Sequence, residues 1–314
     1  MCSGDQNSVI LATAGYDHTI KLWQAHTGNC YRTIQYTDSQ INALEITPDK
    51  KLITAAGYQH IRMFDLTTSN NNPLVTYDGI QKNITALGFN DDGSWMYTVG
   101  EDGFARIWDV RSKLQKPQKM FEINVPINCA SLHPNTSILF IGDQSGTMHT
   151  WDLRMNENDQ IVPEPECSIQ SIHVCPNGKY VAAVSNRGAL YIWELLGDHM
   201  SQLKPYYKKI IHDKYALKCL YSSDCQYLAT SSADSSIKIW NTRDMSLLKT
   251  LRSDSTQRWV WDVSFSSDSE YIISASSDNM ARLWEIESGT VKQKYAGHQK
   301  PIVCLAFRDP LMNR

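Results

Sequence analysis

The sequence predicts an all-β chain folded as a seven-bladed β-propeller, on three observations. A strand–turn–strand pattern ends in an aromatic at Trp23, Phe64, Trp108, Trp151, Trp193, Trp240 and Trp284. Successive gaps are 41, 44, 43, 42, 47 and 44 residues, the period of an architecture in which each repeat is one four-stranded blade. The chain ends are also complementary: residues 9–14 read as a second strand with no first, and residues 301–307 as a first strand with no second. Pairing the two would complete a blade, close the ring and remove most exposed sheet edges.

Within each repeat the first strand is short and largely apolar, at residues 41–47, 84–89, 127–133, 169–174, 216–221, 260–265 and 301–307. Turn chemistry follows, as in Thr47-Pro48-Asp49, His133-Pro134-Asn135 and Cys175-Pro176-Asn177-Gly178. The second strand mixes apolar and small residues, as in Tyr227-Leu228-Ala229-Thr230, which suits packing between blades. The third alternates, as in Ile237-Lys238-Ile239-Trp240, and a variable fourth strand is expected at the outer edge. The predicted organisation is a tail at 1–8, one propeller at 9–307 and a tail at 308–314. Residues 155–166 and 196–212, the latter carrying Tyr206-Tyr207-Lys208-Lys209, are expected as surface loops.

A chain of this length can bury roughly 75% of its unfolded surface, so neither disulfide nor metal is required for stability. The formal net charge of −3 argues against nonspecific nucleic-acid binding, which needs a dense basic footprint. No apolar run is long enough to span a bilayer, and residues 1–8 carry no secretory signal pattern. The eight cysteines are scattered and several fall in apolar strands, so they read as free thiols in a reducing, cytoplasmic compartment. Cys167, His173 and Cys175 lack a second ligand pair with metal-site spacing; neither metal nor other cofactor is expected.

Asp17, Asp102, Asp234 and Asp278 stand six residues before a closing Trp, each preceded four residues earlier by a hydroxyl. His212 and His298 precede first strands. Two buried hydrogen-bonded chains are therefore expected, His298–Thr13–Asp17–Trp23 and His212–Thr230–Asp234–Trp240, with Asp accepting from imidazole and the hydroxyl relaying to the indole. A hydrolase reading of Ser/Thr, His and Asp fails, because the grouping recurs at fold positions and no G-x-S-x-G turn is present. Gln59, Phe64, Ser145 and Arg187 break the pattern, and those blades are expected to rely on apolar packing.

These Gly-His, Ser/Thr, Asp and Trp-Asp elements resemble WD-repeat propellers over essentially the whole chain. The strings Ala12-Thr13-Ala14-Gly15-Tyr16-Asp17, Ala56-Gly57-Tyr58-Gln59-His60, Gly142-Asp143-Gln144-Ser145-Gly146, Gln257-Arg258-Trp259-Val260-Trp261 and Gly297-His298-Gln299-Lys300, in this order and register, resemble one family more closely. That family is the small WD-repeat subunits of target-of-rapamycin (TOR) kinase complexes. The resemblance implies a noncatalytic subunit of both TOR complexes that docks on a helical insertion of the kinase domain, stabilises it and supports signalling to growth and the cytoskeleton. It implies a propeller that is monomeric within a larger complex, with recruitment to endomembranes or the lysosome/vacuole surface through that complex.

First-strand starts and the residues before the turn aspartates ring one mouth of the central channel. Large aromatics there suit binding hot spots, since they bury much area with few rotors. Tyr16, Tyr58, Tyr215, Trp259 and Trp261, with Gln40 and Asn42, are the candidate contacts with the TOR kinase domain; packing of Trp259 or Trp261 between blades is the competing reading. An alternative function is a substrate receptor of a cullin-type ubiquitin ligase, because Trp108-Asp109-Val110-Arg111 and Trp151-Asp152-Leu153-Arg154 fit the Trp-Asp-x-Arg pattern. A G-protein-β-like or ribosome-associated scaffold is weaker, since the short N-terminal segment lacks coiled-coil heptads and the charge is near neutral.

Overall fold

The computed structural model describes residues 9–112, 114–196, 203–253 and 256–309. Residues 1–8 and 310–314, expected as tails, lie outside them. The described residues contain no helix; they form 28 strands in seven four-stranded antiparallel sheets.

The first blade contains β1 (Ile10–Gly15), β2 (Thr19–Trp23) and β3 (Cys30–Gln35); the second β4 (Ala43–Ile46), β5 (Leu52–Ala56), β6 (Ile61–Asp65) and β7 (Val75–Tyr77). The third is β8 (Ile84–Phe89), β9 (Trp95–Gly100), β10 (Phe104–Asp109) and β11 (Lys119–Glu122). The fourth is β12 (Ile127–Leu132), β13 (Ile138–Asp143), β14 (Met148–Asp152) and β15 (Asn158–Ile161). The fifth is β16 (Ile169–Val174), β17 (Tyr180–Ser185), β18 (Ala189–Leu195) and β19 (Leu203–Ile210). The sixth is β20 (Ala216–Tyr221), β21 (Tyr227–Ser232), β22 (Ile237–Asn241) and β23 (Leu247–Leu251); the seventh is β24 (Val260–Phe265), β25 (Tyr271–Ser276), β26 (Met280–Glu285) and β27 (Val291–Ala296). The last strand, β28 (Ile302–Arg308), returns to the first blade.

There β28 lies antiparallel to β1, with Leu11 opposite Phe307, Ala12 opposite Ala306 and Thr13 opposite Leu305. The strand runs one residue further than expected. Arg308 is not tail: it pairs with Ile10, and its guanidinium lies 3.4 Å from Glu45 on the next blade. Gly15 ends β1 without a side chain because a Cβ there would stand 2.0 Å from the Pro301 carbonyl oxygen. The two segments read as loops also differ. Residues 158–161 and 203–210 are fourth strands β15 and β19, because each presents backbone to an otherwise open sheet edge. Pro205, a bulge and three lysines on β19 keep that edge from pairing further.

The core lies in the seams between blades. Each closing aromatic packs across a seam; Trp23 sits with Leu11, Ile273, Ala281, Tyr295 and Ile302. An aromatic ending the preceding blade's outer strand meets it: Tyr295 against Trp23 at 5.8 Å, Tyr77 against Trp108 at 5.3 Å and Phe121 against Trp151 at 5.4 Å between ring centroids. Seams are also hydrogen-bonded near the channel. Ser131, Ser171 and Asp262 side chains accept the backbone N–H groups of Val174, Cys219 and Leu305 on the next inner strand. These bonds satisfy donors that an inner sheet edge would otherwise leave bare.

Candidate functional site

The polar chains lie within the blades. His298 Nδ1 donates to Asp17 at 2.7 Å, Thr13 donates to His298 Nε2 at 2.8 Å, and the Trp23 indole donates to Thr13 at 2.7 Å. His212 stands likewise 2.8 Å from Asp234 and 3.0 Å from Thr230, which accepts the Trp240 indole at 3.0 Å. The carboxylate can only accept, which assigns the other imidazole nitrogen as the acceptor and leaves every group satisfied. Burial pulls the Asp17 carboxyl up, but the His298 hydrogen bond and charge, with help from Thr19, hold it well below the usual carboxylate range. Asp234 is held down in the same way by His212 and Ser236. Thr13 and Thr230 are fully buried, so no substrate reaches these hydroxyls.

The other blades carry an equivalent device that the spacing argument missed. Two residues before the closing aromatic stands a polar side chain in every blade, and where no His precedes the first strand it pairs with a carboxylate. Arg106 grips Asp102 at 3.1 and 2.7 Å, and Arg282 grips Asp278 at 3.1 and 2.5 Å. His149 lies 3.0 Å from Asp143, Arg62 lies 2.5 Å from Asp38, and the Tyr191 hydroxyl donates to Glu164 at 2.9 Å. The blades with Gln59, Ser145 and Arg187 thus import or relocate a carboxylate rather than relying on apolar packing alone. Asp38 and Glu164 come from the loops before the first strands, where no period marks them.

The channel mouth is shaped by a bulge. In six blades the register slips at the second residue of the first strand, leaving Thr85, Asn128, Gln170, Leu217, Trp261 and Val303 unpaired. Bulges re-aim side chains. Asn42 holds the equivalent place just before β4. The channel, about 880 Å³, is lined there by Tyr16, Gln40, Asn42, Asn83, Asn128, Gln170 and Trp261. Deeper in, Lys218 pairs with Asp262 at 3.2 Å, and the carboxylate's charge raises the lysine further. His173, the one imidazole considered for a metal, accepts the Tyr221 backbone N–H at 3.2 Å, and desolvation pushes it down to about 3. Among the described residues no three His, Cys, Asp or Glu side chains converge as metal ligands.

Beside the mouth, a groove of about 390 Å³ is walled by Tyr16, Lys214, Arg258, Trp259, Trp261 and Pro301, among others. Trp259 is 40% exposed, and its ring lies 5.5 Å from that of Trp261. The Trp261 indole N–H is shielded from solvent and has no acceptor. The structure therefore brings Tyr16, Trp259 and Trp261 together, with Gln40 and Asn42 beside Tyr16 and Trp261 along the channel. Neither Trp is sealed within a seam. Tyr58 and Tyr215, 47% and 51% exposed, line neither depression. Lys214 and Arg258 join the groove without having been singled out; each merely neighbours a rim aromatic in sequence.

The family described as "WD domain, G-beta repeat" matches residues 2–24, 71–109, 205–241 and 245–285. The "Target of rapamycin complex subunit LST8" of Mus musculus is 55% identical over 313 residues, covering 97% of this chain and 96% of the relative. The "Protein LST8 homolog" of Drosophila melanogaster is 46% identical, covering 99% and 100%. The "Target of rapamycin complex subunit LST8" of Saccharomyces cerevisiae is 43% identical, covering 96% and 99%. With such identity along nearly its full length, and with seven WD-repeat blades, this chain belongs to the LST8 family.

Proposed function

We propose that this chain is a noncatalytic subunit of TOR kinase complexes that binds the TOR kinase domain through the rim around Trp259 and stabilises it. The observation that carries the reading is the Trp259–Trp261–Tyr16 groove, with an unsatisfied indole donor beside amides at the channel mouth. Such a surface fits a helix or loop that offers apolar side chains and a free carbonyl. Membership of a family whose relatives are named as TOR complex subunits supports the assignment to those complexes, through which this chain serves growth and cytoskeletal signalling in the proposed reading. The cellular site that goes with it is the cytoplasm, with recruitment to endomembranes or the lysosome/vacuole surface through the complex.

The test is affinity purification from the native cell, run with the wild type and with a Trp259→Ala/Gln40→Ala double variant. The wild type is expected to recover a large phosphatidylinositol-kinase-like protein kinase. The double variant should lose about 2 kcal/mol or more of binding, roughly a thirty-fold weakening, with an unchanged thermal melt. Normal kinase recovery by the folded variant would move the interface to another face. A cullin adaptor in place of the kinase would favour the ubiquitin-ligase receptor; Arg111 and Arg154, the residues behind that reading, stand exposed two residues beyond third strands.

A further inference from the structure

On the face opposite the Trp259 groove, the turns between first and second strands share one plan. Its first residue accepts a backbone N–H with its side chain: Thr47, Asn90, His133, Ser222 and Ser266 all do so. In five of these turns the fourth residue has a left-handed backbone, with φ of 60° at Lys50, 68° at Gly93, 72° at Gly178 and 59° at Cys225 and Ser269. Cysteine is called for at neither place. Yet the fifth blade has Cys175 at the first, and the sixth has Cys225 at the fourth, where glycine is the unstrained choice.

These two positions touch across a seam. One seam earlier, His133 donates to the Gly178 carbonyl at 3.1 Å, and a Cβ on Gly178 would stand 2.9 Å from the imidazole. Cys175 and Cys225 hold the His133 and Gly178 positions one blade on. Both belong to one apolar cluster, with Tyr180 and Tyr221, in which Cys175 is buried and Cys225 packs against it from the partly open side. Cys175 is 2% exposed, whereas Cys225 is partly open to solvent.

We propose that Cys175 and Cys225 form a reversible dithiol–disulfide site that hydrogen peroxide oxidises, stapling the fifth blade to the sixth. The reaction starts at Cys225, the thiol that solvent reaches. Burial, with Cys225 alongside, pushes the Cys175 thiol up to about 12, so it stays protonated and does not attack first. The Cys225 sulfur attacks one peroxide oxygen, the O–O bond breaks, and hydroxide leaves with the thiol proton as water. The resulting sulfenic acid is then attacked by the Cys175 sulfur; the S–O bond breaks, and hydroxide leaves with the Cys175 proton as a second water. Two thiols lose two electrons, and one peroxide is reduced to two waters.

The experiment treats the full chain with hydrogen peroxide, blocks remaining thiols by alkylation and sequences non-reduced peptides by mass spectrometry. A peptide joining Cys175 to Cys225, released by dithiothreitol, is expected, together with a melting temperature raised by roughly 5 °C. Cys225→Gly restores the turn's ordinary residue and should fold; in it Cys175 stays open to alkylation of the unfolded protein, and peroxide leaves the melt unmoved. Cys175 remaining alkylatable after treatment of the wild type would overturn the proposal. So would sulfinic acid at Cys225 with Cys175 free, or a link between two chains.

Discussion

Asp234 is pulled in two directions. Burial favours its neutral form, while His212 and Ser236 favour its charged form and win, so its proton affinity falls on folding. A depressed carboxylate contributes stability that is complete above its unfolded value, about 3.9, and is lost as pH falls through the folded one. Asp17 follows the same rule through His298. Asp234→Ala leaves the buried His212 and Ser236 without their shared acceptor and should cost about 1–3 kcal/mol in a denaturant titration at neutral pH. The gap between wild type and Asp234→Asn should then narrow as the buffer is taken from about pH 4 toward pH 2. A gap that stays constant over that range would mean that Asp234 is not the titrating group. These chains were legible in the sequence because the Thr and Asp sit at fixed distances before a closing Trp and the His stands just before a first strand. The pairs Arg62–Asp38 and Tyr191–Glu164 were not, because those carboxylates come from loops whose spacing follows no period, and His149 takes Asp143, two residues away from the usual Asp position.

Third strands show how one position is reused with different chemistry. Blades whose first strand follows a His carry Lys21 or Lys238 two residues before the Trp, while Arg106 and Arg282 stand there in two blades that lack it. The arginine is buried with its aspartate: side-chain exposure is 0% for Arg282 and 8% for Asp278. Removing one partner of such a pair leaves a stranded charge, so Arg282→Ala should cost about 3–5 kcal/mol, whereas a double Arg282→Met/Asp278→Ala variant should recover much of it. Equal losses in the single and double variants would show that packing of the long Arg side chain, not its charge, is what matters. The alternation of the third strand marked the position as inward or outward but said nothing of its partner. First strands hid more. The bulge that turns Trp261, Asn128 and Gln170 toward the channel has no residue signature, so rim positions could be counted in register while their directions could not. That is why Trp259 and Trp261 share a groove with Tyr16, while Tyr58 and Tyr215, chosen by the same count, stand apart.

A ring of blades has no local order of importance until it is closed, and closure here rests on one strand. Along β1 every partner on one side comes from β28, nearly three hundred residues away in sequence, so the contact is made at the highest loop-closure cost the chain can incur. What repays it is the seam. Ile302 and Leu305 enter the cluster around Trp23, and Cys304 and Ala306 enter the one around Phe64. Leu305 donates to Asp262, and Arg308 reaches Glu45, tying the strand to the blades on both sides. Removing everything from Lys300 onward would therefore open β1 as a bare edge, expose two apolar seams and delete His298's support from the segment that follows it. An unpaired, flat and apolar edge is a template for association, so the truncated chain is expected to elute as soluble aggregates and to lose its cooperative melt. A monomeric truncation with the wild-type melting temperature would mean that the remaining six blades and the β1–β3 sheet hold themselves, and that β28 is an ornament on a ring that is already stable.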